Sequence, residues 1–187
     1  MIACDIAILP PDEIMDLAIG ISKGIGPDRG NGIALNKKDI LPHITLAMGS
    51  VEEEDIPKIK IILINLASIA MPIDLEMIPD PRGRHYLGIA CSAMLRGLHE
   101  AVIESTSQFF KGRVDMKMFH DPDGSGISDN SVSYVSKFME NSSYANFEPH
   151  ITVQSSGDPI AQVTARFTAD RLVLGHLGNH CTVRRIL

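Results

Sequence analysis

The chain has 187 residues, 44% of them hydrophobic and 21% charged, enough apolar material for one sizeable domain or two small lobes sharing a core. A net charge of −6 leaves no global basic field to hold a long nucleic acid. An anionic substrate therefore has to be caught locally, and to be small or presented by one end. Cys4, Cys91 and Cys181 are widely spaced, which argues against a disulfide framework or a CxxC metal pair and fits a reducing cytoplasm.

In chain order, the start lacks a basic n-region and meets Asp5 and then Pro10-Pro11 too soon for a signal peptide. Ala3 to Leu9 reads as a short strand stopped by those prolines. Asp12 then caps a helix to about Lys23, with Ile14, Leu17, Ala18 and Ile21 at helical spacing. Gly24 to Gly32 is turn-rich, and Leu41 to Met48 reads as a strand. Ser50 is placed to cap the next helix, whose first turn holds Glu52, Glu53 and Glu54 as the helix dipole favours. The core stripe of that helix is Ile56, Ile59, Leu63, Leu66 and Ala70. Ile59 to Met71 is the most apolar run; it is too short to span a bilayer and reads as a buried helix. A strand over Pro72 to Ile78 follows.

Asp80-Pro81-Arg82-Gly83-Arg84 is a basic loop and the natural boundary between halves, 1–80 and 81–187. The plan then repeats. His85 to Ser92 is a strand, Met94 to Phe110 a helix, Lys111 to Asp129 irregular, and Ser131 to Tyr144 a helix. Glu148 to Gln154 is a second strand resembling the earlier one, and Asp158 to Ala165 a short helix. Arg171 to Gly175 and Cys181 to Leu187 read as a closing antiparallel pair with Gly178-Asn179 in the turn. The expected fold is α+β, a bilobal pseudo-twofold duplication within one domain. Antiparallel sheets form its inside and helices its outside, with the closing strands open to exchange between lobes.

The halves share one stretch, Pro42-His43-Ile44-Thr45-Leu46 and Pro149-His150-Ile151-Thr152-Val153. On a strand, residues i and i+2 share a face, so each copy sets an imidazole beside a hydroxyl. Two imidazoles flanking a phosphodiester supply a base for the incoming oxygen and an acid for the leaving one. The hydroxyls can donate to non-bridging oxygens where charge gathers. Opening a strained cyclic phosphate needs nothing more, so no metal and no cofactor are expected.

These motifs, His43-Ile44-Thr45-Leu46 and His150-Ile151-Thr152-Val153, resemble the paired H-x-[ST]-x motifs of the 2H phosphoesterase superfamily, and the likeness of plan extends over essentially the whole chain. That group includes the so-called 2′-5′ RNA ligases and cyclic nucleotide phosphodiesterases. The resemblance implies a central cleft and metal-independent hydrolysis of 2′,3′-cyclic phosphates. It makes His43 and His150 the acid and base, in either order by direction of reaction, and Thr45 and Thr152 the phosphate holders. The partner it implies is a small cyclic nucleotide or an RNA terminus bearing a cyclic phosphate. Two readings compete: an RNA 2′-5′ ligase or endonuclease, and a non-catalytic nucleotide- or RNA-binding module. Weak basic character makes a large RNA substrate less secure.

Arg82, Arg84 and Tyr86 offer charge and a stacking ring near the cleft, against the plainer reading of a solvated loop. Lys111, Arg113 and Lys117 read as a solvated helix end. Asp121 and Asp123 match only a fragment of a calcium loop. His176 and His180 straddle a turn, which makes a zinc pair improbable. No P-loop or G-x-S-x-G motif is present. The expected protein is a cytoplasmic monomer without a membrane segment.

Overall fold

Eight successive residues, Ile2–Leu9, are apolar apart from Asp5 and are all buried, as a strand must be when both its faces are covered. This strand, β1, lies inside a four-stranded sheet of order β2-β1-β7-β8, with β2 at Ile44–Val51, β7 at Arg171–Leu177 and β8 at Val183–Ile186. A second sheet has the order β5-β4-β3-β6, with β3 at Ile73–Ile78, β4 at Tyr86–Ile89, β5 at His150–Thr152 and β6 at Ala165–Ala169. Among the described residues, all six strand pairings are antiparallel. This computed structural model describes residues 1–25, 33–80, 86–122, 124, 126–154, 160 and 163–187. Among them are four α-helices: α1 at Asp12–Ile25, α2 at Ile56–Ala70, α3 at Ala93–Thr106 and α4 at Asp129–Asn141. None is long and apolar enough to cross a membrane.

The two sheets share one plan. Each ends in a strand carrying a His-x-Thr motif, β2 or β5, beside a strand that opens its half of the chain, β1 or β4. The edge strands β2 and β5 come alongside one another. Strands also change sheets: β3 follows the first motif yet pairs with β4, while β7 and β8 close the chain beside β1.

Several expectations are corrected. Ser50 caps no helix; it is buried in β2, where its hydroxyl donates to the Arg113 carbonyl at 2.6 Å. The Lys111 N–H donates to the Ser50 carbonyl at 2.8 Å, so the segment after α3 covers part of the outer edge of β2. Asp12 lies inside the first turn of α1, because the Ile14 and Met15 N–H groups bond to the Pro11 carbonyl. The apolar run in α2 is only half buried: Ile59 and Leu63 face the core, while Ile61, Ile64 and Ile69 are exposed, Ile69 at 85%. The longest hydrophobic stretch exceeds what one helix face can hide. Ser128, with its hydroxyl accepting the Ser131 N–H, starts the fourth helix earlier than expected. Ala165 opens β6 rather than ending a helix; half of that expected helix lies outside the described residues.

Candidate active site

Each motif histidine stands where its chain enters an edge strand. His43 precedes β2 by one residue and His150 opens β5. In both, the ring folds back on the carbonyl two residues earlier: His43 Nδ1 is 2.7 Å from Leu41 O, and His150 Nδ1 is 2.7 Å from Glu148 O. A carbonyl can only accept, so both Nδ1 atoms carry hydrogen and Nε2 is the nitrogen that exchanges protons. The backbone behind each ring is tied to a sheet. Leu41 N donates to Val183 O at 3.0 Å, and Ile89 N donates to Pro149 O at 2.9 Å.

His43, Thr45, His150 and Thr152 line one cavity of about 600 Å³. That falls within the roughly 300–1,000 Å³ usual for small-molecule sites. Tyr86 of β4 lines it as well, and α4 contributes Asn130, Tyr134, Phe138 and Asn141. The walls thus combine aromatic rings with amide groups, while two imidazole–hydroxyl pairs enter from different sheets.

Motif one contains a further group. Asp5, fully buried on β1, places Oδ2 at 3.4 Å from His43 Nε2 and accepts the Thr45 hydroxyl at 2.7 Å. Its Oδ1 has no hydrogen-bond partner among the described residues. Burial raises the Asp5 carboxyl above its usual range, against the pull of His43 and Thr45. Burial alone would lower His43, but the hydrogen bond and charge of Asp5, with the Leu41 carbonyl, outweigh it and leave the imidazole raised. Both shifts favour a proton held between His43 Nε2 and Asp5 Oδ2. Thr45, expected to hold phosphate, here gives its one hydroxyl proton to Asp5.

In motif two, the Tyr86 ring lies against the His150 ring, with centroids 4.2 Å apart and planes inclined by 32°. Tyr86 thus lines the cavity beside His150. Arg82 and Arg84 lie outside the described residues. Of the basic residues after α3, Arg113 faces Asp115 at 3.6 Å, and Lys111, Arg113 and Lys117 are all absent from the cavity lining. Among the described residues no three of His, Cys, Asp and Glu gather as a metal site.

Two structural supports were missed from the sequence. His99 on α3 is fully buried; its Nδ1 donates to Leu46 O at 2.8 Å and its Nε2 accepts the Tyr144 N–H at 2.9 Å. Leu46 is the residue skipped where β1 and β2 shift register, and such bulges commonly re-aim side chains near sites. His99 also stacks on Phe147 with centroids 3.8 Å apart, joining β2 to the turn before motif two. Burial lowers its pKa. The signal was its spacing: His99 falls four residues after Leu95 and three before Val102, on the apolar face. The second support is Asn179 in the β7–β8 turn, whose Oδ1 accepts from Ser128 N, Ser128 Oγ and Ser131 Oγ at 2.9–3.0 Å. It anchors the start of α4 over the cavity. The same turn bends His180 and Cys181 into the left-handed region, at φ 57° and 55°.

No protein-family model matches the chain, and no curated protein matches it. Among solved structures, the crystal structure of TT0787 of Thermus thermophilus is similar, with a TM-score of 0.62 at 16% identity. The match covers 100% of this chain and 95% of that one, so the two share a fold.

Proposed function

We propose that this protein is a metal-independent phosphoesterase that opens 2′,3′-cyclic phosphates of nucleotides or RNA ends by two-histidine acid–base catalysis. The observation that carries the reading is the convergence of His43, Thr45, His150 and Thr152 on one cavity, with each imidazole held by the same Nδ1 hydrogen bond. The resemblance of both His-x-Thr motifs to the 2H phosphoesterase superfamily points the same way.

The chemistry follows from what the side chains can exchange. Water attacks phosphorus while one histidine Nε2 takes its proton. The bond from phosphorus to one ribose oxygen breaks, and the other histidine Nε2 delivers a proton to that oxygen. Water and the cyclic diester become a phosphate monoester and a free hydroxyl, and solvent resets the two imidazoles. The proton favoured on His43 beside Asp5 makes His43 the donor in this direction, its Nε2 hydrogen swinging from Asp5 to the leaving oxygen, and leaves His150 as the base. The hydroxyl of Thr152, and that of Thr45 once turned from Asp5, can bond the non-bridging oxygens as charge accumulates there. The cavity size and the net charge of −6 favour a mononucleotide or a chain terminus over a long polymer.

The test is the pH dependence of ring opening of a 2′,3′-cyclic mononucleotide, with EDTA present throughout. The mechanism predicts a bell-shaped kcat/KM profile and the same rate with or without chelator. Activity lost in EDTA and restored by a divalent metal would overturn it. Tight binding of the nucleotide without ring opening would favour the binding-module reading.

A further inference from the structure

Asp5 belongs to neither motif, yet it touches both side chains of the first. It is the one charged residue in a strand that is otherwise apolar, and it sits at 0% exposure. A buried carboxylate is tolerated only when its charge is compensated, and here the compensation comes from the imidazole and the hydroxyl of motif one. The local sheet geometry explains the meeting. β1 and β2 shift register between Ile6 and Ala7, so Thr45 lies opposite Ala7 while Asp5 lies opposite Met48. The bulge brings a side chain from two residues upstream within reach of Thr45 and of the histidine at the mouth of the strand.

We infer that Asp5 is a positioning residue that keeps a proton on His43 Nε2 and fixes the Thr45 hydroxyl, so that the first motif is set as the proton-donating half of the site. This rests on the phosphoesterase reading for its catalytic meaning, but not for the proton itself. Because Nδ1 already carries the hydrogen donated to Leu41, a neutral ring would turn the Nε2 lone pair toward the Asp5 carboxylate. Two lone pairs facing each other 3.4 Å apart in a buried pair repel. The arrangement is stable only with a proton between them.

The other groups near His43 do not supply or compete for that charge. From β1, burial pushes the Cys4 thiol up, and from the β7–β8 turn burial and Asp5 push Cys181 up to about 12, so both stay neutral. From α4, burial raises the Tyr134 phenol, which stays protonated. His180 is lowered by burial and is uncharged at neutral pH. His150, Tyr86 and Glu148 line the same cavity on the side of motif two. Among the described residues, Asp5 is thus the charged group paired with His43 Nε2, at 3.4 Å.

The experiment follows the His43 ring by NMR titration in the wild-type protein and in Asp5→Asn, beside the pH dependence of kcat/KM for ring opening. The inference predicts a wild-type His43 midpoint above 6.5, the ordinary histidine value. In Asp5→Asn the midpoint falls by about one pH unit or more, and the alkaline limb of kcat/KM moves down with it. On that limb the variant loses roughly tenfold more activity than it does on the acid side. A wild-type midpoint at or below 6.5, or an Asp5→Asn midpoint that stays in place, overturns the inference. A uniform loss of rate with an unmoved alkaline limb does so too, since it marks a merely structural role. If Asp5→Asn fails to fold, the wild-type titration decides alone. If no cyclic phosphate is opened, the titrations still decide on Asp5 while the phosphoesterase reading falls separately.

Discussion

His43 and His150 are held by the same contact, an Nδ1 hydrogen bond of 2.7 Å to the carbonyl two residues back, although one precedes β2 and the other opens β5 in a different sheet. Local geometry therefore fixes both tautomers. Replacing either ring by alanine removes a proton carrier without breaking a sheet. We expect His43→Ala and His150→Ala each to lose about 10²–10⁴-fold in kcat. Circular dichroism should remain close to wild type in both variants, and His150→Ala should also melt near wild type, whereas His43→Ala should melt at a lower temperature because Asp5 is then left buried beside Thr45 alone.

Tyr86 constrains His150 from β4. An aromatic pair of this kind contributes about 0.5–1.5 kcal/mol beyond its buried area. Tyr86→Phe keeps the ring and should retain most activity, whereas Tyr86→Ala frees the imidazole and should lower kcat several-fold. Steady-state kinetics of the two variants, compared side by side, checks this.

His99 makes an acid-sensitive joint between the lobes. Its Nε2 accepts the Tyr144 N–H, which a protonated ring cannot do. The folded pKa lies below the unfolded value of 6.5, so the contribution of His99 to stability is complete above 6.5. It declines as pH falls below 6.5, until the folded ring itself protonates. His99→Ala should destabilise the protein by about 2–4 kcal/mol through two lost buried hydrogen bonds and a cavity beside Phe147. The variant should also lose part of the wild-type decline in stability between pH 6.5 and 5, as read from urea midpoints.

Asn179 orders α4. Its Oδ1 gathers the Ser128 and Ser131 donors that begin the helix, and α4 brings Asn130, Tyr134 and Asn141 to the cavity. Asn179→Ala leaves several donors unpaired and should reduce stability by about 1–3 kcal/mol. It should weaken nucleotide binding more than it slows turnover at saturation. Calorimetric Kd and kcat measured on the same preparation separate the two effects.

The parts of the fold that were legible in the sequence are those set locally. Alternation in Ile73, Leu75 and Met77 marks β3, and Gly178-Asn179 marks the β7–β8 turn. Which sheet a strand joins is a long-range matter: nothing within Ile73–Ile78 says that it pairs with β4 and β6. The same division runs through the site. His43, Thr45, His150 and Thr152 were visible because a short stretch occurs twice. Asp5 was visible only as a lone acid in an apolar strand, a pattern that demands a partner without naming it. The failure at Ser50 has a similar cause, since a serine before an acidic turn suits both a helix cap and the end of a buried strand. The Arg113 carbonyl, far along the chain, decides for the strand.

The proposed mechanism requires two histidines from two sheets to act together on a cyclic phosphate. ³¹P NMR of a 2′,3′-cyclic mononucleotide mixed with wild-type protein in EDTA tests it most directly, with folded His43→Ala and His150→Ala run in parallel. Wild-type protein should convert the cyclic signal steadily to a single monoester, and both variants should lose nearly all of that conversion. Full conversion by either folded variant, or an unchanged cyclic signal with wild-type protein, would contradict the mechanism.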